Sequence, residues 1–172
     1  MPDTHKRGWP LVQLRWLSLA LAGLSLDLWT KKLAEMHLYQ GVLKPVIPDM
    51  FGLTLAYNTG AAFSMLGDAG GWQVGFFAGI AIVVSVMILL WLARLPVHRN
   101  LEAAGLAMLL AGAVGNLHDR LALGRVRDFI VVHWQDAWYF PTFNAADILI
   151  NLGVAALLLD MLFNHKADRT SP

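Results

Sequence analysis

Residues 74–92 run for nineteen positions without a single charge. A helix needs about 20 predominantly apolar residues to cross a bilayer, so this stretch is long enough to span one. Inside hydrocarbon the backbone must satisfy its own N–H and C=O groups, which makes the segment a helix. Three other stretches follow the same pattern less cleanly. Residues 11–30 carry Arg15 and Asp27, residues 101–117 carry Glu102 near their start, and residues 148–163 contain Asn151 and Asp160. The expected fold is therefore a mainly α, polytopic membrane protein with four transmembrane helices at about 11–30, 74–92, 101–117 and 148–163. Residues 1–172 then form a single membrane domain, with loops at about 31–73 and 118–147 on one side. A soluble helical bundle fits the second stretch poorly.

Composition points the same way. Charged residues are 15% of the chain and AVILMFWYC residues 57%, where soluble domains average roughly 25% charged. Seven Trp suit a chain that meets membrane–water interfaces. The net charge of +1 leaves no basic footprint for nucleic acid. There is no cysteine, which removes disulfides, thiolate metal sites and a cysteine nucleophile. The six His have no metal-ligand spacing, and neither a phosphate-binding glycine loop nor a serine nucleophile motif is present. No cofactor is expected.

The first apolar stretch follows Lys6 and Arg7, as a signal peptide would, but Arg15 interrupts it and no convincing cleavage site follows; it reads as a retained helix. Four spans place both termini on one side. Residues 1–15, 94–100 and 164–172 hold seven Lys and Arg against six in the longer opposite loops. The denser set lies beside helix ends, which places both termini in the cytoplasm. Helix alternation then gathers Asp27, Asn116, Asp119, Arg120, Asn144 and Asp147 at the opposite, outer surface. Ionisable groups in or beside a span are costly, so their grouping suggests one polar site.

The loops on that side carry a small extracytoplasmic β element. Residues 53–57 alternate as a half-buried strand. Residues 126–134 and 138–143 read as a hairpin turning at Gln135-Asp136-Ala137. Trp134, Trp138, Tyr139 and Phe140 either reach the headgroup layer or pack the hairpin. Antiparallel pairing about this turn sets Asp128 roughly opposite Phe143, one helical turn before Asp147. Asp128 and Asp147 are thereby the candidate catalytic pair, preferred to Asp119 and to the turn residue Asp136. Two carboxyls in a poorly solvated site share one proton. The charged one can take a proton from water while the neutral one polarises a carbonyl. The structural alternative is an ion pair of Asp128 with Arg120 or Arg127.

Supporting residues have helical spacing. Gly112, Asn116 and Arg120 share one face of the third helix; Asn144, Asp147 and Asn151 share one face of the fourth. Gly112 and Gly115 suit close helix packing. Asp27 and Lys31 form an i, i+4 pair, and Asp27 either stabilises its helix end or lines the site. Asn58 either offers its amide to a substrate carbonyl or forms a turn beside Gly60.

These residues, in this order, resemble the lipoprotein signal peptidase (signal peptidase II) family. The resemblance rests on Asp27-Leu-Trp-Thr-Lys31, Asn58-Thr-Gly-Ala-Ala-Phe63, Gly112-Ala-Val-Gly-Asn116-Leu-His-Asp119-Arg120, Gly124-Arg-Val-Arg-Asp128-Phe129 and Phe143-Asn144-Ala-Ala-Asp147. It implies a bacterial inner-membrane aspartyl endopeptidase that cuts prolipoproteins before a diacylglyceryl-modified cysteine. It also implies Asp128 and Asp147 as catalytic residues, and Asp27, Asn58, Asn116, Arg120 and Asn144 as residues that shape the site or bind substrate. Membrane lipid and globomycin-like cyclic peptide inhibitors are the further partners it implies. Leu28, Thr30 and Ile148 depart from the family's usual residues. The rival readings are a small transporter or proton channel and a non-catalytic membrane scaffold. Conduction would want polar groups at mid-depth, where these spans have almost none.

Overall fold

The computed structural model describes residues 11–60, 71–135 and 137–169. In chain order they form α1 (Leu11–His37), β1 (Lys44–Ile47), β2 (Phe51–Asn58), α2 (Trp72–Arg94), α3 (Asn100–Leu123), β3 (Val126–Trp134), β4 (Trp138–Tyr139) and α4 (Ala145–Arg169). Each helix runs past its apolar stretch; α1 and α3 gain most at their C-terminal ends and α4 at both ends.

Three of the described helices, α2, α3 and α4, are long and apolar enough to cross a membrane. The polar residues of α1 set it apart. Gln13, Asp27 and Lys31 are buried between helices, while Leu14, Leu21, Leu26 and Trp29 face outward. α2 is the clearest lipid-facing surface: Phe76, Val83, Met87, Leu90 and Trp91 are each at least half exposed. So much apolar area turned outward suits hydrocarbon rather than water.

α3 is the hub of the bundle and packs against the other three helices. Small residues permit this. A Cβ on Gly112 would run into the Ala146 carbonyl of α4, one on Gly115 into the Asp27 carboxyl of α1, and one on Gly105 would lie 2.9 Å from the Gly153 carbonyl. Leu92, Leu106 and Ala107 are almost fully buried around this hub. Away from the sheet, Arg99 pairs with Glu102 at 2.7 Å and Asp160 at 2.5 Å, linking α3 to α4. Gln13 donates to the Leu95 carbonyl at 2.8 Å there.

The strands form one antiparallel sheet in the order β1-β2-β3-β4. β2 covers the expected 53–57 strand, and a register shift between Leu53 and Ala56 buries both Thr54 and Leu55 instead of alternating them. β1 is an edge strand that the sequence reading lacked; Pro45 is tolerated there because an edge needs fewer N–H donors.

The hairpin register corrects one expectation. Phe143 bridges Ile130, not Asp128, and Asp128 pairs instead with Ala56 of β2. Trp134 pairs with Trp138, which leaves residues 135–137 between the strands as expected, and the ladder shifts by one residue between Tyr139 and Phe143. Pro141 has no N–H to continue the ladder, and β4 stops at Tyr139. The slip brings Asn144 rather than Phe143 to Asp128. Asp136 lies outside the described residues, as do residues 61–63 of the Asn58 segment. Trp134, Trp138, Tyr139 and Phe140 are each more than two-fifths exposed, and within the hairpin Tyr139 stacks on His133 while Phe140 meets Trp138 and Phe143.

Candidate active site

Two local devices place the candidate acids. Gly124 ends α3 in the left-handed conformation (φ 68°), its N–H reaching the Arg120 carbonyl at 3.1 Å. Glycine adopts this geometry without a Cβ penalty, so the chain leaves the helix and enters β3 within two residues. Strand alternation then sends Arg127 and Asp128 to opposite faces. At the other side, Asn144 caps α4. Its side-chain oxygen accepts from the Asp147 N–H at 3.0 Å, and the Asp147 carboxylate accepts from the Asn144 N–H at 3.1 Å. This reciprocal arrangement is a capping box, which satisfies helix donors that otherwise lack partners. It also fixes Asp147 at the mouth of the bundle.

Each oxygen of the pair receives a donor. Asp128 Oδ1 accepts from Asn144 Nδ2 at 2.6 Å, and Oδ2 from Asn58 Nδ2 at 3.3 Å. Asp147 Oδ1 accepts from Asn116 Nδ2 at 2.8 Å, and Oδ2 from the Asn144 backbone. Asn144 therefore holds both acids. Asp128 is 2% exposed. Burial, and after it the neighbouring Asp147 charge, pushes its carboxyl up to about 7, against the hydrogen bonds of Asn144 and Asn58 and the nearby Lys31 cation.

A second group of buried charges lies behind this pair. Lys31 Nζ is 2.8 Å from Asp27 and 3.4 Å from Asp119, all three fully buried. Arg127 pairs with Asp119 at 2.6 Å and with Glu35 at 3.2 Å. The Asp27 carboxylate also accepts the Ala146 N–H at 2.8 Å, capping α4 from α1. Arg127 is thus committed to Asp119, and its ion pair with Asp128 does not form.

A cavity of about 570 Å³ opens in front of the acids. Asn58, Asn116, Arg120, Asp128 and Asp147 form its polar floor; its walls are mostly apolar, with Val126, Phe140, Phe143, Ile148, Ile150 and Leu152 beside the polar Thr142 and Asn151. Arg120 Nη2 donates to the Gly60 carbonyl at 3.3 Å and Nη1 to the Asn116 carbonyl at 3.3 Å. Of the residues singled out in the sequence, Asp27 and Asn144 do not line the cavity: both are fully buried beneath it. Asn58 joins the site through Asp128 and also turns the chain, its Oδ1 accepting the Gly60 N–H at 2.9 Å.

Sequence reasoning missed three connections. Lys31 donates to Asn116 Oδ1 at 2.9 Å, Glu35 reaches Arg127, and Asp119 holds Arg127 through three bonds. The Asp27–Lys31 spacing marked one pair, but nothing in the sequence aligned it with α3. The Asn144-x-x-Asp147 spacing was a capping signal that could have been read.

Apolar outward-facing helices, with a cavity of paired carboxyls at one end, define a helical membrane protein with its polar site beside the bundle mouth. The family model for signal peptidase (SPase) II matches residues 19–163. The chain is 52% identical to the lipoprotein signal peptidase of Ectopseudomonas mendocina over 171 residues, covering 98% of both. It is 49% identical to that of Pseudomonas aeruginosa strain PAO1 over 173 residues, covering 99% of both. A bacterial membrane enzyme solved by the in meso method at 2.3 Å superposes with a TM-score of 0.81 at 26% identity, over 92% of this chain and 93% of that one. A second such structure, at 1.9 Å, gives 0.74 at 27% identity, over 86% and 92%. The chain belongs to the signal peptidase II family, and is a bacterial membrane peptidase.

Proposed function

We propose that this chain is an aspartyl endopeptidase that removes signal peptides from diacylglyceryl-modified prolipoproteins, cutting before the lipid-modified cysteine. One observation carries the reading: four amide N–H groups hold the four oxygens of Asp128 and Asp147 at the floor of an apolar-walled cavity. Family membership supports the substrate class.

In this reading Asp128 enters as the neutral acid and Asp147 as the charged base. Asp147 takes a proton from water as the water oxygen bonds to the scissile carbonyl carbon. Asp128 gives its proton to the carbonyl oxygen, forming a gem-diol. Asp147 then passes its proton to the leaving nitrogen as the C–N bond breaks, and one hydroxyl returns a proton to Asp128. The atoms balance and both acids regain their starting states. Asn116 and Asn144 keep the carboxyls aimed. Asn58 and Arg120, on the floor, are the substrate-facing polar groups, and Asp27 shapes the site from below.

The same reading makes the chain a single membrane domain in the bacterial inner membrane. α1 serves as the fourth span, a role supported by its burying Asp27 and Lys31 while turning leucines outward. Both termini are cytoplasmic and the active site lies near the outer face. The exposed aromatics of β3 and β4 meet lipid headgroups, and the apolar cavity wall takes the lipid or signal-peptide side of the substrate. Holding the lipid beside the helices positions the peptide bond and lowers the entropic cost of reaction. Globomycin-like cyclic peptides are inhibitors that would compete for the cavity.

The test is cleavage of a diacylglyceryl-modified prolipoprotein by the purified protein in detergent or lipid, beside folded Asp128→Asn and Asp147→Asn variants. Cleavage before the modified cysteine by the parent chain alone supports the proposal. A folded parent chain that leaves the substrate intact, while an active peptidase cuts it in the same mixture, overturns it. Cutting by both variants would keep the peptidase and discard these acids.

A further inference from the structure

We propose that Lys31 is a positioning residue for the catalytic pair: its buried ammonium fixes the orientation of the Asn116 amide and so aims Asn116 Nδ2 at Asp147. The proposal rests on the reading of Asp128 and Asp147 as that pair.

An ammonium has three donors and no acceptor. Lys31 has three acceptors in reach: Asp27 at 2.8 Å, Asp119 at 3.4 Å and Asn116 Oδ1 at 2.9 Å. Two carboxylates oppose one ammonium here, and Arg127 supplies the second cation through Asp119. Charge neutralisation alone therefore leaves the third contact of Lys31 unexplained. That contact decides which end of the Asn116 amide faces which way. A flipped amide would set its NH₂ against the ammonium, donor against donor, and its oxygen against the Asp147 carboxylate. The observed orientation gives Asn116 Oδ1 two donors, Lys31 and Asn144 Nδ2 at 3.2 Å, and leaves Nδ2 for Asp147 at 2.8 Å. A chain of contacts thus runs from α1 through α3 to the acid on α4.

Lys31 also sets the local field. It lies at full burial, where a charge is poorly screened. The charged groups around it are Asp27 on its own helix, Asp119 and Arg120 on α3, Arg127 and Asp128 on β3, Asp147 on α4, and Glu35 beyond Arg127. A cation at this place favours the singly charged state of the pair over the neutral one.

The experiment compares kcat and KM against pH for Asp27→Asn, Asp27→Asn/Lys31→Met and Asp27→Asn/Lys31→Gln. Removing one carboxylate together with the ammonium avoids leaving an unpaired buried charge. Relative to Asp27→Asn, the Met variant should lose kcat about tenfold, the loss of one charge-assisted hydrogen bond, with little change in KM. Both limbs of its profile should move upward by about one pH unit. Gln keeps a donor for Asn116 without the charge, so it should recover kcat but keep the shifted limbs. A folded Met variant whose kcat falls with unmoved limbs would make Lys31 merely structural and overturn the proposal. So would failure of both double variants to fold where Asp27→Asn folds. If Asp128→Asn and Asp147→Asn still cleave in the same assay, the catalytic pair itself is wrong. If they are inactive while the limbs stay put, only the role of Lys31 falls.

Discussion

Asp119 and Asp128 are both almost fully buried, nine positions apart, yet their surroundings differ in kind. Asp119 is met by cations, Arg127 at 2.6 Å and Lys31 at 3.4 Å. Asp128 is met by neutral amides, those of Asn144 and Asn58, and by a second acid nearby. A carboxylate locked to cations is a fixed charge that fastens helices to strand. A carboxyl held by amides and pressed by a like charge keeps a proton that it can lend. In the proposed reading, the same residue type thus builds a structural post on one face of β3 and the proton donor of the catalytic pair on the other.

The sharpest way to break this contrast is to neutralise each side in turn. Asp128→Asn or Asp147→Asn should abolish cleavage, by about a thousandfold or more in kcat, while the melting temperature in detergent falls little. Arg127→Met should do the reverse. It leaves the buried Asp119 only Lys31, which Asp27 also claims, and should destabilise the fold by about 3–5 kcal/mol, read by thermal or denaturant unfolding. If Arg127→Met left stability untouched, Asp119 would not be the post described.

Helix spacing offers a smaller lever. Gly112→Ala should cost about 1–3 kcal/mol, because the added methyl meets the backbone carbonyl of Ala146, which cannot rotate away as a side chain could. A melting curve checks it.

The proton on Asp128 sharpens the comparison through pH. Its folded value of about 7 lies above the ordinary 3.8. The stability this group contributes is therefore complete below 3.8 and is lost as pH rises through about 7. Asp128→Asn should remove that loss from the stability–pH curve. Catalysis that needs the neutral acid should likewise fall above about pH 7, roughly tenfold per pH unit. Rates that stay level to pH 9 would remove Asp128 as the acid. The smallest effect belongs to Asn58→Ala, which removes the longer of the two bonds to Asp128 and should lower kcat severalfold, about fivefold.

Much of the fold was readable because its signals are local. The nineteen uncharged residues of α2, the β-branched run of β3 and the apolar run of α4 each fall within one element. β1 was not readable, since an exposed four-residue edge strand containing Pro45 owes its pairing to β2 and not to its own composition. The hairpin register failed for a related reason: the one-residue shift of the ladder between Tyr139 and Phe143 is less than any pattern over residues 126–143 resolves.

By itself the sequence determined the membrane character of the chain, the gathering of polar residues at one surface, and the residue types available for chemistry there. Hydrophobic length and helix alternation decide those things without reference to contacts. Only the tertiary structure decided which acids meet amides and which meet cations. It placed Asn144 and Asp27 beneath the cavity, turned Arg127 to Asp119, and brought Lys31 from α1 to Asn116 on α3. Those outcomes hang on approaches of a few ångströms between segments up to 119 positions apart, and distances of that size are set by packing around Gly112 and Gly115, not by the residues that act.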